Sequence, residues 1–176
     1  MTLPADHWAL RGLFVLDTET TGIEVETALI GSISAGPLNP DGTADIRTAY
    51  CPVDMPEEAG AVNGLTTAYL AEHGQPPAEV LDRFLNATAN ALRAVRALVI
   101  ANAAYDLTVL DRECRRHEVT TLAQRLAACG APLIVVDPMV LDKRVVKYRR
   151  RVSETQGALQ LKTLAQVHQC GWDDVL

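Results

Sequence analysis

The run Leu13-Phe14-Val15-Leu16 passes directly into Asp17-Thr18-Glu19-Thr20-Thr21-Gly22, and this junction constrains the chain more than any other segment. The apolar run predicts a strand over 13–17. The two acids that follow are two positions apart, which in a strand puts them on one face. Side-by-side carboxylates resist joint ionisation unless a cation lies between them. The pair therefore predicts half of a divalent-metal site at the end of a buried strand. A solvated strand end is the plainer reading of an isolated D-x-E. Thr20, Thr21 and Gly22 favour the metal reading, because hydroxyls and a turn that glycine permits bring backbone N–H groups beside the carboxylates.

Further apolar, β-branched runs at 28–35, 48–53, 97–102 and 133–137 predict four more strands. Gly36-Pro37 and Pro40-Asp41-Gly42 punctuate the second and third, and the short connection predicts antiparallel pairing. Leu81, Phe84, Leu85, Thr88, Leu92 and Val95 recur at helical spacing and predict a helix over 78–97, with Pro77 just before its start. Two more helices are predicted at 105–117, burying Leu107, Leu110 and Cys114, and at 159–169, stopping at Gly171. Strands first, then strands interleaved with helices, indicate an α/β domain with a mixed sheet.

The length of 176 residues suits one domain, 1–176, with a substantial core. No apolar run reaches membrane-spanning length and the N-terminus lacks a signal pattern, which predicts a cytoplasmic protein without a membrane partner. Cys51, Cys114, Cys129 and Cys170 are too scattered for a zinc cluster or a disulfide framework. His7, His73 and His117 have no metal-like spacing. A net charge of −6 argues against broad duplex binding, but not against a metal-dependent enzyme whose acidic ligands contribute to that count. Positive charge is concentrated in Lys143, Arg144, Lys147, Arg149, Arg150 and Arg151. That stretch is either a solvated loop or a steering surface for a nucleic-acid backbone.

A second apolar run, Leu98-Val99-Ile100-Ala101, leads through Asn102-Ala103-Ala104-Tyr105 to Asp106. Asn102 or Asp106 would serve as a helix cap. Asp106 is better explained as a third carboxylate brought to the first pair, since ligand sites gather at strand ends in such sheets.

Asp17-Thr18-Glu19-Thr20-Thr21-Gly22 resembles the first motif of the DnaQ-like (DEDD superfamily) 3′–5′ exonucleases, and Asn102-Ala103-Ala104-Tyr105-Asp106 resembles their second. Cys51-Pro52, Pro56-Glu57-Glu58-Ala59 and Val62-Asn63-Gly64-Leu65-Thr66 are similar to the family's intervening stretch. Three ordered motifs are more specific than any one of them. The resemblance implies a ribonuclease-H-like mixed sheet flanked by helices and the proofreading lineage of the DNA polymerase III epsilon subunit. It implies a two-metal site for Mg²⁺ or Mn²⁺, as oxygen-only ligands favour. Asp17 would bridge both ions, Glu19 would hold the catalytic one, and Asp106 would act mainly through metal-bound water. Thr20 and Leu65 match positions that hold the terminal nucleotide, although Leu65 reads equally well as a core leucine.

Two departures accompany the resemblance. Ala101 stands where the second motif usually has histidine. The third motif, H-x4-D, supplies a general base and a final carboxylate. His168 and Asp173 have its spacing, but His168 falls within the amphipathic Leu161/Leu164/Ala165 helix and is read as a helix-face residue. The chain is then expected to be cut short before that motif and to lack the C-terminal helix carrying it. The expected function is a metal-dependent 3′–5′ exonuclease that releases nucleoside 5′-monophosphates from nucleic acid, with single-stranded DNA as the favoured substrate and a DNA polymerase as a candidate partner. The alternative is a catalytically impaired exonuclease-like module that binds nucleic acid or a replication or repair protein.

Overall fold

The computed structural model describes residues 10, 12–94, 96–150, 157, 158 and 160–169. Its centre is β1 (Leu13–Thr20), which follows from the apolar run: Phe14 and Leu16 are buried on one face, while Leu13, Val15, Asp17 and Glu19 occupy the other. β2 (Ile30–Leu38) pairs antiparallel with β1, and β3 (Arg47–Tyr50) pairs antiparallel with β2. On the other side of β1 lie β4 (Ala97–Val99) and β5 (Val135–Val136), both parallel. The sheet order is β3-β2-β1-β4-β5. The mixed sheet and the antiparallel β2–β3 pair are as the sequence predicts.

β2 runs through Gly36-Pro37, which was expected to end it. Pro37 lies beyond the last β2–β3 pair, Ala35↔Arg47, where its missing N–H costs no ladder bond between those strands. Gly36 lies against the backbone of Asp45 and Ile46, a close approach that only a residue without Cβ permits. The connection out of β2 therefore folds back over the strand, with the Asp45 N–H donating to the Pro37 carbonyl at 3.1 Å.

Among the described residues seven helices flank the sheet: α1 (Glu57–Asn63), α2 (Thr67–His73), α3 (Pro77–Arg93), α4 (Ala103–Arg116), α5 (Leu122–Cys129), α6 (Pro138–Val145) and α7 (Leu161–Val167). α3 buries Leu81, Phe84, Leu85, Thr88 and Leu92 as predicted, together with Val80 and Ala89; Val95 is outside the described residues. α4 buries Leu110 and Cys114, with Leu107 partly covered. The sequence reading missed α1, α2, α5 and α6. Two had local signals. Thr121-x-x-Gln124 forms a capping box at the start of α5, and Asp137-Pro138 caps and opens α6. Lys143 and Arg144 therefore sit in the last turn of a helix, not in a loop.

α4 is attached to the sheet by two buried acids seven residues apart, two turns along one face. Asp106 reaches β1, and Glu113, 1% exposed, accepts the Ile30 N–H at 3.3 Å and pairs with Arg116. The β1–β2 register shifts between Glu19 and Thr20, next to this second attachment.

Gly36→Ala is expected to lower stability by about 1–3 kcal/mol, because the Asp45–Ile46 backbone would have to move. Gly22→Ala, whose Cβ meets nothing within 4 Å, is expected to leave the urea midpoint unchanged. Equilibrium urea unfolding of both variants checks the contrast.

Candidate active site

β1 is paired with β4 only from Leu13 to Val15, so its last five residues project past the shorter neighbour. Their backbone groups on that side need another partner. Asp106, in the first turn of α4 and 4% exposed, supplies one. Its Oδ1 accepts the Thr18 N–H at 3.0 Å and the Thr18 hydroxyl at 2.7 Å. Thr18 lies between Asp17 and Glu19, so this attachment brings the third carboxylate to the first two.

The electrostatics record the crowding. Burial pushes Asp17 up to about 6, with the charge of Asp106 adding to it and the Thr18 N–H opposing it. The Asp17 residue nevertheless keeps substantial exposure to water. Glu19 rises to about 7, first from burial, then from Asp17 and Asp106. Burial also raises Asp106, against the Thr18 hydroxyl and N–H, which favour its ionised form; nearby Asp137 adds to the rise. Each shift marks a carboxylate whose charge is poorly compensated by the protein alone.

A cleft of about 560 Å³ opens beside the pair, lined by residues 18–23 of β1 and its turn, by Pro56, Glu58, Ala59, Val62 and Asn63 around α1, and by Asn102 and Tyr105. Of the three predicted carboxylates, Glu19 lines it directly. Asp17 shares the strand face of Glu19, and Asp106 is bonded to the cleft-lining Thr18, but neither lines the cleft itself. A groove of about 630 Å³ between β2, β3 and α3 contains one acid, Asp45, which is 3.5 Å from Arg47, so grouped carboxylates belong to the first cleft.

The turn after β1 is held by side chains. The Tyr105 hydroxyl donates to the Gly22 carbonyl, and the Thr20 hydroxyl lies 2.6 Å from the Tyr105 oxygen and 2.9 Å from that carbonyl. Gly22 has no positive φ, so the turn does not depend on glycine; the Thr21 N–H is taken by the Leu29 carbonyl at 2.9 Å. This corrects the expectation that glycine would free N–H groups toward the carboxylates. The signal for Tyr105 in the sequence is its place one residue before Asp106, within the second motif. Asn63, 8% exposed, ties α1 to the site by donating to the Thr20 carbonyl at 3.3 Å and accepting the Leu65 N–H at 3.1 Å. Leu65 is partly buried and does not line the cleft.

Asn102 occupies the cap position of α4 in a left-handed conformation, φ 56°, but its side chain accepts no capping bond. The Ala103 N–H goes to Asp137 Oδ2 at 3.1 Å instead, a cap delivered from the end of β5. His168 Nε2 lies 2.8 Å from Asp142 on α6, and no histidine among the described residues lines the cleft; Asp173 is outside them.

The donors fit a hard divalent cation in chemistry: oxygen only, anionic and mutually repulsive. Among the described residues, no three acids, histidines or cysteines converge as a preformed metal cluster.

Comparison with known proteins bears on the architecture. No family model matches the sequence, and neither does any curated protein. Solved structures do match. Product-bound exonuclease I superposes with a TM-score of 0.75 at 12% identity, over 93% of this chain and 40% of that one. Exonuclease I from Methylocaldum szegediense gives 0.73 at 17% identity, over 93% and 37%. Escherichia coli exonuclease I in complex with a dT13 oligonucleotide gives 0.74 at 11%, over 92% and 36%. The chain shares the fold of these exonuclease I structures. The chain spans about two fifths of the length of these structures. In this exonuclease fold the β1 end, the α4 start and α1 enclose one cleft, and the three sequence segments that carry the resemblance supply those parts.

The raised values of Asp17 and Glu19 have a consequence for stability. The folded state binds protons more tightly than the unfolded state between the ordinary carboxylate range near pH 4 and about pH 6 to 7. The stabilisation present at low pH is therefore lost as pH rises through that window. Without metal, Glu19→Gln is expected to be more stable than wild type at pH 8, with the difference shrinking toward pH 4.5. Urea midpoints in EDTA across that range measure it.

Proposed function

We propose that this chain is a metal-dependent 3′–5′ exonuclease domain that acts on nucleic acid and releases nucleoside 5′-monophosphates. The observation that carries the reading is the bond from Asp106 to Thr18, which joins a third carboxylate to the Asp17–Glu19 strand end. Similarity to exonuclease I in fold supports it, and one of those structures is a complex with a dT13 oligonucleotide. Single-stranded DNA is the favoured substrate, and a DNA polymerase remains the candidate partner suggested by the sequence resemblance. No helix among the described residues is long and apolar enough to cross a membrane.

Asp17 and Glu19 would hold a divalent cation, with Asp106 acting behind them from its Thr18 anchor. When bound, the cation polarises a phosphoryl oxygen and lowers the pKa of a water molecule. The chain's own residues provide the setting. Thr18 fixes the Asp106 carboxylate, so that its remaining oxygen is held in position. Tyr105 and Asn63 hold the Thr20–Gly22 turn and the end of α1, which bound the space for a terminal nucleotide. Val62 and Ile23, both largely exposed at the mouth, present apolar surface suited to a base.

The second reading is an exonuclease-like module without catalysis. One observation favours it: His168, the histidine with third-motif spacing, is bound to Asp142 rather than placed in the cleft.

A 3′-labelled single-stranded oligonucleotide with Mn²⁺ tests both readings. Wild type is expected to shorten it one nucleotide at a time, and Asp17→Ala to be at least about 100-fold slower. Unchanged degradation by Asp17→Ala would sink the enzyme reading. Mn²⁺ is also expected to raise the thermal midpoint of wild type but not of Asp17→Ala. Stabilisation without shortening would select the non-catalytic module.

A further inference from the structure

The cleft leaves the positive charge of the chain unused. α6 is joined to the start of α4: its cap, Asp137, holds the Ala103 N–H next to the cleft-lining Asn102 and one turn before Asp106. From that cap the helix extends for about 12 Å. Its exposed surface combines two kinds of group. Val140, Val145 and Tyr148 are 61%, 80% and 91% exposed, and Lys143, Arg144 and Lys147 are exposed beside them.

The two ends of this segment are held in shape by one buried acid. Asp142 accepts from Arg149 Nε at 3.0 Å and lies 2.8 Å from His168 Nε2. Those contacts keep its carboxyl below the usual range, with Arg149 the larger cause. Arg149 is thus a tether that folds residues 146–149 back along α6, and the neighbouring cations are presented outward. In a chain of net charge −6, such a patch is a local feature, not a share of general basicity.

We propose that the outer surface of α6, with Tyr148, is a contact for single-stranded nucleic acid leading to the cleft, in which Lys143, Arg144 and Lys147 meet phosphates and Tyr148 stacks on a base. This rests on the reading of the cleft as one for nucleic-acid ends. A single strand suits the surface because it offers anionic phosphates and unpaired aromatic faces together. A duplex hides the base faces.

The test is fluorescence anisotropy of a labelled oligothymidylate with the full chain in EDTA, which prevents cleavage, titrated between about 50 and 200 mM salt. The triple variant Lys143→Ser/Arg144→Ser/Lys147→Ser is expected to bind more weakly and to flatten the log K against log salt slope by about 2, roughly 0.7 per lost phosphate contact. Tyr148→Ala is expected to weaken binding about tenfold, while Tyr148→Phe keeps wild-type affinity because the ring remains. Circular dichroism checks that each variant is folded. Wild-type affinity and slope in the triple variant would overturn the proposal. So would equal losses in Tyr148→Phe and Tyr148→Ala, or binding of wild type to phosphatidylserine vesicles but not to the oligonucleotide. The nuclease reading is judged separately: if wild type shortens 3′ ends while the surface variants bind normally, this inference fails alone. If wild type binds through the surface but shortens nothing, the inference stands and the nuclease reading fails.

Discussion

The contact on which the site depends is the one between the Asp106 carboxylate and the N–H and hydroxyl of Thr18. β1 is longer than its parallel neighbour, and its projecting end needs hydrogen-bond partners that β4 does not provide. A buried carboxylate meets that need and gains two donors that favour its charged form. The same bond sets where α4 starts relative to β1. It therefore fixes Asn102 and Tyr105 at the cleft and, through Tyr105, the turn after the strand. Glu113 repeats the device two turns later at Ile30, so the helix is attached to the sheet at two points.

This arrangement has an electrostatic cost. Burial first, and neighbouring carboxylates second, raise the pKa values of Asp17, Glu19 and Asp106, and no arginine or lysine among the described residues lines the cleft. Elsewhere the chain pairs its buried acids with cations: Glu113 with Arg116, and Asp142 with Arg149. The contrast separates acids that serve the scaffold from acids left to meet something from outside. Uncompensated charge at a cleft is the feature that a divalent cation or a cation-bearing ligand would relieve.

Much of the architecture was legible because it follows from local rules. The period of α3, the strand run before Asp17 and the short β2–β3 connection each rest on hydrophobic spacing or turn chemistry. The boundaries that differed had tertiary causes. β2 continues through Gly36-Pro37 because the following connection packs on the missing Cβ. β4 and β5 are shorter than their apolar runs, although single bonds from Leu98 to Ile134 and from Ile100 to Val136 extend beside them. α5 and α6 are too short to show a long apolar period, and their signal is the cap residues at their starts.

The sequence by itself determined that Asp17 and Glu19 share one strand face and that Asp106 falls in the first turn of a helix, because both are consequences of backbone geometry. It also determined the resemblance, through the order of three motifs. Only the tertiary structure decided what those residues touch. Asn102 was expected as a cap, but Asp137 from another strand end caps α4. His168 has the spacing of a catalytic motif, but its imidazole meets Asp142. Gly22 has the look of an obligatory turn residue, but Tyr105 and Thr20 hold that turn. Partners contributed by distant segments are set by packing, and no local pattern encodes them.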